Sequence, residues 1–197
     1  MNIGIFGGAF NPVHNGHLDL AYSYYDELKL DKLIFIPTAI PPHKANEYLV
    51  SGTDRINMLK LALKDTPFEI STIEFERKTK SYTFDTLNLL RKEYPNDTFF
   101  LIIGADQFLS FDKWYRYKDI LEMATLCTCA RESDAERQSI VEFSKKLGIS
   151  DSFHLSSKKV IKVSSSEIRE RIKNKQDISH LVLPSVQAYI KENKLYV

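Results

Sequence analysis

Residues 2–17 read Asn2-Ile3-Gly4-Ile5-Phe6-Gly7-Gly8-Ala9-Phe10-Asn11-Pro12-Val13-His14-Asn15-Gly16-His17. Asn2–Phe6 is a short apolar run of strand type that ends in paired glycines. From His17 to Leu30 the pattern becomes helical, with Leu18, Ala21, Tyr25 and Leu28 on one face. A strand that turns through glycines into a helix gathers backbone N–H groups and the positive end of a helix dipole around one point, which is what phosphate binding needs. The glycine spacing matches neither the dinucleotide fingerprint nor the P-loop. The turn instead carries His14 and His17, three apart at the helix start. Their imidazoles can donate hydrogen bonds to phosphate oxygens as charge moves during phosphoryl or nucleotidyl transfer. The plainer alternative is a capped turn with space-filling histidines. Against it, four of the chain's seven glycines and two of its five histidines fall within residues 1–17. Glycine is entropically costly and is kept where backbone must bend or come close to something.

Outward from this turn, strand and helix patterns alternate. Strands are expected at Lys32–Pro37, Phe68–Phe75, Thr98–Ile103, Thr125–Ala130 and within His154–Val163. Helices are expected from a cap at Ser51 or Thr53 through Lys64, and at Thr83–Glu93, Ala105–Met123 (in one or two pieces) and Ala135–Leu147, the last stopped by Gly148. Two more close the chain near Ser165–Lys173 and Ser185–Glu192. Such alternation predicts an α/β fold, Rossmann-like and doubly wound, with a mainly parallel sheet and helices on both faces. With neither repeat nor linker, residues 1–197 are read as one domain, its C-terminal helices from about 164 completing the site. Sites in such sheets lie at the carboxyl ends of the strands, so the loops after Phe6, Pro37, Phe75, Ile103 and Val163 are the ones to inspect.

Three of those loops carry chemistry. Val163-Ser164-Ser165-Ser166-Glu167-Ile168-Arg169 contains a capping box, Ser164 with Glu167, which by itself only starts a helix. The hydroxyls and N–H groups at that helix start, with Arg169 one turn in, also make an anion site. Pro41-Pro42-His43-Lys44 is either a stiffened surface turn or a loop that offers Lys44 to a polyphosphate. Gly104-Ala105-Asp106 allows close approach to the backbone and a carboxylate for ribose hydroxyls. Trp114, the only tryptophan, sits among Asp112, Lys113, Tyr115 and Arg116, which favours a partly exposed ring able to stack on a flat ligand.

Composition narrows the function classes. The chain has 197 residues, 27 Lys+Arg against 26 Asp+Glu, 43% hydrophobic and 27% charged residues. Such a chain folds, and its balanced charge argues against a nucleic-acid binder. Apolar runs are too short to span a membrane, and no signal peptide is read at the N-terminus. Cys127 and Cys129 are too few for a disulfide framework or a zinc site and read as buried thiols on one face of a strand. A reduced, cytoplasmic protein is expected.

The first loop resembles the His-x-Gly-His signature of the nucleotidyltransferase superfamily, and Ser164-Ser165-Ser166-x-x-Arg169 resembles its second motif. With Pro41-Pro42-His43-Lys44, Ser81-Tyr82-Thr83, Gly104-x-Asp106 and Phe111-x-x-Trp114, the whole chain is similar to the bacterial nicotinate mononucleotide adenylyltransferases. The second motif departs mildly, with Val163-Ser164-Ser165-Ser166 where Ile-Ser-Ser-Thr is more usual. The resemblance implies transfer of AMP from ATP to nicotinate mononucleotide, giving deamido-NAD and pyrophosphate. It implies that His14 and His17 hold the ATP phosphates and the transition state, with the backbone of Gly8, Ala9 and Phe10 against them. Lys44, Ser165 and Arg169 would grip the triphosphate, with Arg169 counted beside the histidines as catalytic. Gly104 and Asp106 would face the adenosine ribose, Trp114 would stack on the pyridine ring, and the Tyr82-Thr83 and Tyr115 segments would receive the acceptor's carboxylate. Mg²⁺ would travel with ATP, held mainly by phosphate oxygens and water. A homo-oligomer stays open. Rival readings are the same reaction on nicotinamide mononucleotide or phosphopantetheine, an ATP-sensing module without chemistry, and a class I aminoacyl-tRNA synthetase, for which the chain is short.

Overall fold

The computed structural model describes residues 1–41, 49–77, 79–130, 133–156, 158, 161 and 163–197. Strands β1 (Asn2–Gly8), β2 (Lys32–Pro37), β3 (Glu69–Ile70), β4 (Thr98–Ile102), β5 (Thr125–Cys129) and β6 (His154–Ser156) form one six-stranded sheet in the order β3-β2-β1-β4-β5-β6. Every pairing is parallel, so the mainly parallel sheet expected is wholly parallel among the described residues. The order reverses between β1 and β4, whose registers pair Phe6 with Ile102. Just beyond that switch point the two strand ends diverge and leave a crevice.

Side-chain alternation explains the two layers. Ile3 and Ile5 of β1, Ile34 and Ile36 of β2 and Leu101 of β4 face one core. Phe6, Leu33, Phe35 and Ile102 face the other. Helices α1 (Asn15–Glu27), α2 (Gly52–Leu63), α7 (Ser165–Lys173) and α8 (Pro184–Glu192) cover the Phe6 side with Leu20, Met58, Ile168 and Val186. Helices α3 (Thr83–Glu93), α4 (Ala105–Phe108), α5 (Tyr117–Met123) and α6 (Asp134–Leu147) cover the Ile3 side with Leu87, Phe108, Ile120 and Ile140. Ser51 caps α2 by accepting the Asp54 N–H at 3.0 Å, which settles the choice between Ser51 and Thr53. Gly148 ends α6 in the left-handed region, φ 72°. Cys127 and Cys129 are both buried on the Phe6 side.

Two elements differ from expectation. The strand read as Phe68–Phe75 is only Glu69–Ile70. After Ser71 donates to Phe35 O the chain leaves the sheet edge in a turn, Phe75 N to Thr72 O, and the buried Glu74 carboxylate accepts from Thr86 Oγ1 at 2.8 Å and from Ala39 N at 3.4 Å. Those bonds satisfy a buried acid that an edge strand would have left without partners. The helical stretch 105–123 is α4, a 3-10 turn (Phe111–Lys113) and α5, in three pieces. Arg116, at φ 55°, makes the break before α5. No helix among the described residues is long and apolar enough to cross a membrane.

Candidate active site

A cleft of about 420 Å³ opens at the carboxyl ends of β1 and β4. Gly8, Ala9, Phe10, His14, His17, Ser165 and Arg169 line it from the layer of α1 and α7. Tyr82, Thr83, Trp114 and Tyr115 line it from the layer of α3 and the 3-10 turn, and Gly104 and Asp106 line it at the end of β4. Thus every site residue read from the sequence meets here except Lys44, which lies outside the described residues.

The first loop is rigid for identifiable reasons. His14 is the N-cap of α1 and His17 is its N3 residue. His17 Nδ1 accepts the His14 backbone N–H at 3.2 Å, and the His17 N–H donates to the His14 carbonyl at 2.9 Å. His17 thus does the work of the usual capping-box Glu. A ring nitrogen that accepts carries no proton, so the Nδ1 bond leaves His17 Nε2 as its donor, away from the helix backbone. The two rings stack with centroids 3.6 Å apart. Phe10 turns its buried ring edge-on to His17 at 5.0 Å, so this residue offers the cleft backbone while its side chain belongs to the core.

Glycine is required at one position by close approach. A Cβ at Gly16 would lie 2.8 Å from Val163 Cγ1, 3.0 Å from the Ile161 carbonyl and 3.3 Å from His14 Nδ1. The bare helix start therefore lets the second motif pack directly on the first. At Gly7 a Cβ would meet nothing within 4 Å, so that glycine leaves open space on the cleft wall.

The two motifs are joined by hydrogen bonds. Ser165 Oγ donates to Pro12 O at 2.9 Å, and Arg169 Nη1 donates to Asn11 O at 2.8 Å while Nη2 reaches Ser166 Oγ at 3.1 Å. Ser164 Oγ accepts the Glu167 N–H at 3.1 Å as the N-cap of α7. Two helix N-termini, two imidazoles and a guanidinium therefore converge on one side of the cleft, which makes it electropositive.

The other side is aromatic. Trp114 is half-buried and rests on Phe111, centroids 5.1 Å apart. Tyr82 and Tyr115 lie 4.7 Å apart, and the Arg116 guanidinium covers Phe84 at 3.9 Å while pairing with Asp119 at 2.8 Å. Tyr82, the N-cap of α3, gives no side-chain cap, and Thr83 at that helix start lines the cleft.

Arg55 escaped the sequence reading. It is 1% exposed; its Nη1 donates to Ala9 O at 2.9 Å and Thr38 O at 2.6 Å, its Nε to Val50 O at 3.4 Å. Burial holds its pKa below the usual arginine value. Its spacing with Met58, Leu59 and Ala62 placed it on the apolar face of α2, which was the available signal. No group of three or more His, Cys, Asp or Glu residues that could hold a metal occurs among the described residues.

Comparison with known proteins agrees with this geometry. A family model described as cytidylyltransferase-like matches residues 5–171. A nicotinate-nucleotide adenylyltransferase of Bacillus subtilis is 40% identical over 195 residues, covering 98% of this chain and 97% of its own. A probable nicotinate-nucleotide adenylyltransferase of Carboxydothermus hydrogenoformans is 42% identical, with 98% and 97% covered. Among solved structures, a Plasmodium falciparum nicotinic acid mononucleotide adenylyltransferase complexed with NaAD shares the fold, with TM-score 0.80, 20% identity and 99% and 97% of the two chains covered.

Proposed function

We propose, from the premise that this chain belongs to the cytidylyltransferase-like family and to its nicotinate-nucleotide adenylyltransferases, how its cleft carries out adenylyl transfer. The reaction joins AMP from ATP to nicotinate mononucleotide, giving deamido-NAD and pyrophosphate. An oxygen of the mononucleotide phosphate attacks the α-phosphorus of ATP, a P–O bond forms there, and the bond to the β-phosphate oxygen breaks with its electron pair leaving on pyrophosphate. The attacking phosphate has its second pKa near 6, so no strong base is needed at neutral pH. Catalysis is then positioning and stabilisation of phosphate charge.

The observation that carries this reading is the meeting of the two motifs across the Ser165–Pro12 and Arg169–Asn11 bonds, opposite an aromatic wall. His14 and His17 would donate to the transferring phosphate, His17 from the Nε2 that its bond with the His14 N–H leaves as the donor. Arg169 and Ser165 would hold the β- and γ-phosphates, a task the sequence resemblance also gives Lys44. Asp106, exposed beside Gly104, would accept the ribose hydroxyls. ATP would arrive with Mg²⁺ as part of the substrate, the ion held mainly by phosphate oxygens and water. On this reading residues 1–197 act as one nucleotidyltransferase unit, α7 completing the phosphate side. The buried thiols Cys127 and Cys129 fit a reducing cytoplasm.

For the acceptor, Trp114 would stack on the pyridine ring. The uncapped start of α3 and the backbone at Tyr115 would receive the carboxylate, in a field that favours an anion. The test is pyrophosphate release with Mg-ATP and, in parallel, nicotinate mononucleotide, nicotinamide mononucleotide and phosphopantetheine. The nicotinate form should be preferred over the amide by roughly 30-fold or more, the worth of ~2 kcal/mol in charge-assisted hydrogen bonds. Activity only with another acceptor would reject the acceptor assignment and keep the chemistry. ATP binding without turnover on any acceptor would favour a sensing module. Trp114→Ala should raise KM for the mononucleotide by about tenfold, ~1.4 kcal/mol of lost stacking, and leave KM for ATP nearly unchanged. Unchanged acceptor kinetics would remove the stacking role.

A further inference from the structure

Three distant parts of the chain meet at Asn11, which is 6% exposed. Its side-chain Oδ1 accepts the Val50 N–H at 3.3 Å and the Tyr196 hydroxyl at 2.8 Å, and its main-chain carbonyl accepts from Arg169 at 2.8 Å. Tyr196 follows α8, in a left-handed backbone conformation at φ 65° that bulky residues seldom adopt. Its ring packs with Leu195 on the Phe6-side core, and its phenol lies among Arg169, Arg55 and Asp54. Burial raises the phenol's pKa, against the opposing pull of the two arginines, so it keeps its proton and acts as donor.

We propose that Tyr196 is a positioning residue of the phosphate side: by fixing Asn11 it presents Arg169 to the triphosphate and to the departing pyrophosphate. The chain of contact is short. The phenol anchors the Asn11 carboxamide, Asn11 O anchors one arm of the Arg169 fork, and Ser166 Oγ anchors the other. Without the hydroxyl, that oxygen loses its shorter bond, at 2.8 Å, and keeps the longer one from Val50 at 3.3 Å. The guanidinium must then be ordered when ligand arrives, at a cost in side-chain entropy that the intact protein has already met by folding. Trp114 and Tyr115 come from the opposite layer, where their rings rest on Phe111, Tyr82 and Phe84, so the proposed acceptor side should be unaffected.

This inference rests on the phosphate-holding role read above for Arg169. The experiment is steady-state kinetics of Tyr196→Phe in both directions, with pyrophosphate and deamido-NAD as reverse substrates, beside Arg169→Lys and the double variant. Tyr196→Phe should raise KM for ATP and for pyrophosphate about three- to tenfold, the range of one hydrogen bond, with KM for nicotinate mononucleotide unchanged. In the Arg169→Lys background the same substitution should add nothing. Fully additive effects, or equal rises for acceptor and pyrophosphate, would overturn the role and indicate general loosening. A normal pyrophosphate KM for Tyr196→Phe beside a defective Arg169→Lys would overturn it alone. A normal pyrophosphate KM for Arg169→Lys would overturn the reading of Arg169 from which it starts.

Discussion

Replacing His17 by alanine should lower turnover by about two to three orders of magnitude, the usual cost of deleting a preorganised donor at a developing negative charge, while affinity for ATP should fall far less. The asymmetry follows from where the donor acts. On the proposed reading Arg169, Ser165 and the helix N-termini would also hold the ground-state ATP phosphates, whereas an imidazole donor locked by its capping bond is aimed before charge moves. Pyrophosphate release measures turnover and calorimetry measures ATP binding; equal losses in both would remove the catalytic role. Because His17 Nδ1 also accepts the His14 N–H, the alanine variant loses a helix cap as well. His17→Asn separates the two effects. Its amide can replace Nδ1 as the capping partner but does not reach the position of Nε2, so it should keep the fold of the loop and still lose turnover. Near-normal turnover in the asparagine variant would assign the histidine a structural role only.

Much of this site was legible because its logic is local. The strand, glycine turn and capped helix of residues 2–17 are contiguous, and their physical purpose can be read without knowing what they touch. The second motif was ambiguous alone, since Ser164 with Glu167 explains itself as a cap, which it is. Parallel topology resolved the ambiguity: order reversal at β1 and β4 brings both helix starts to one crevice. What escaped was long-range. The edge strand after Pro67 reads as eight residues of β pattern, Phe68–Phe75, but only Glu69–Ile70 pairs, because Glu74 is claimed by Thr86 and Ala39. Tyr196 has nothing near it in sequence to hint at Asn11. Phe10 was read for its backbone alone, and its ring proves to be the brace behind His17.

Arg55 is the case where the sequence signal existed and pointed the other way, and its substitution carries the second large effect. On the apolar face of α2 a charged residue suggests a shifted helix, yet Arg55 is buried beside Met58 and Leu59. Its guanidinium takes the place of water for the carbonyls of Ala9, Thr38 and Val50, which belong to the glycine loop and to both ends of the segment between β2 and α2. It also lies over the Phe75 ring at 5.6 Å. Arg55→Met fills most of the volume and removes every donor. Two or three half-buried carbonyls then lose their partner, at about 1–3 kcal/mol each where water does not replace it, partly offset because a desolvated cation has gone too. The expected loss is ~3 kcal/mol, equivalent to a fall of roughly 6–12 °C in Tm for a chain of this size. Arg55→Lys, with one point donor in place of a fork, should fall between. Because Ala9 and Thr38 line the cleft, where the proposed function places ATP, saturating Mg-ATP should restore much of the lost Tm by binding the folded state alone. Calorimetric melting with and without nucleotide measures both quantities. A variant with unchanged Tm would mean that water reaches the three carbonyls once the guanidinium is gone. The cation would then not be what holds the two loops together.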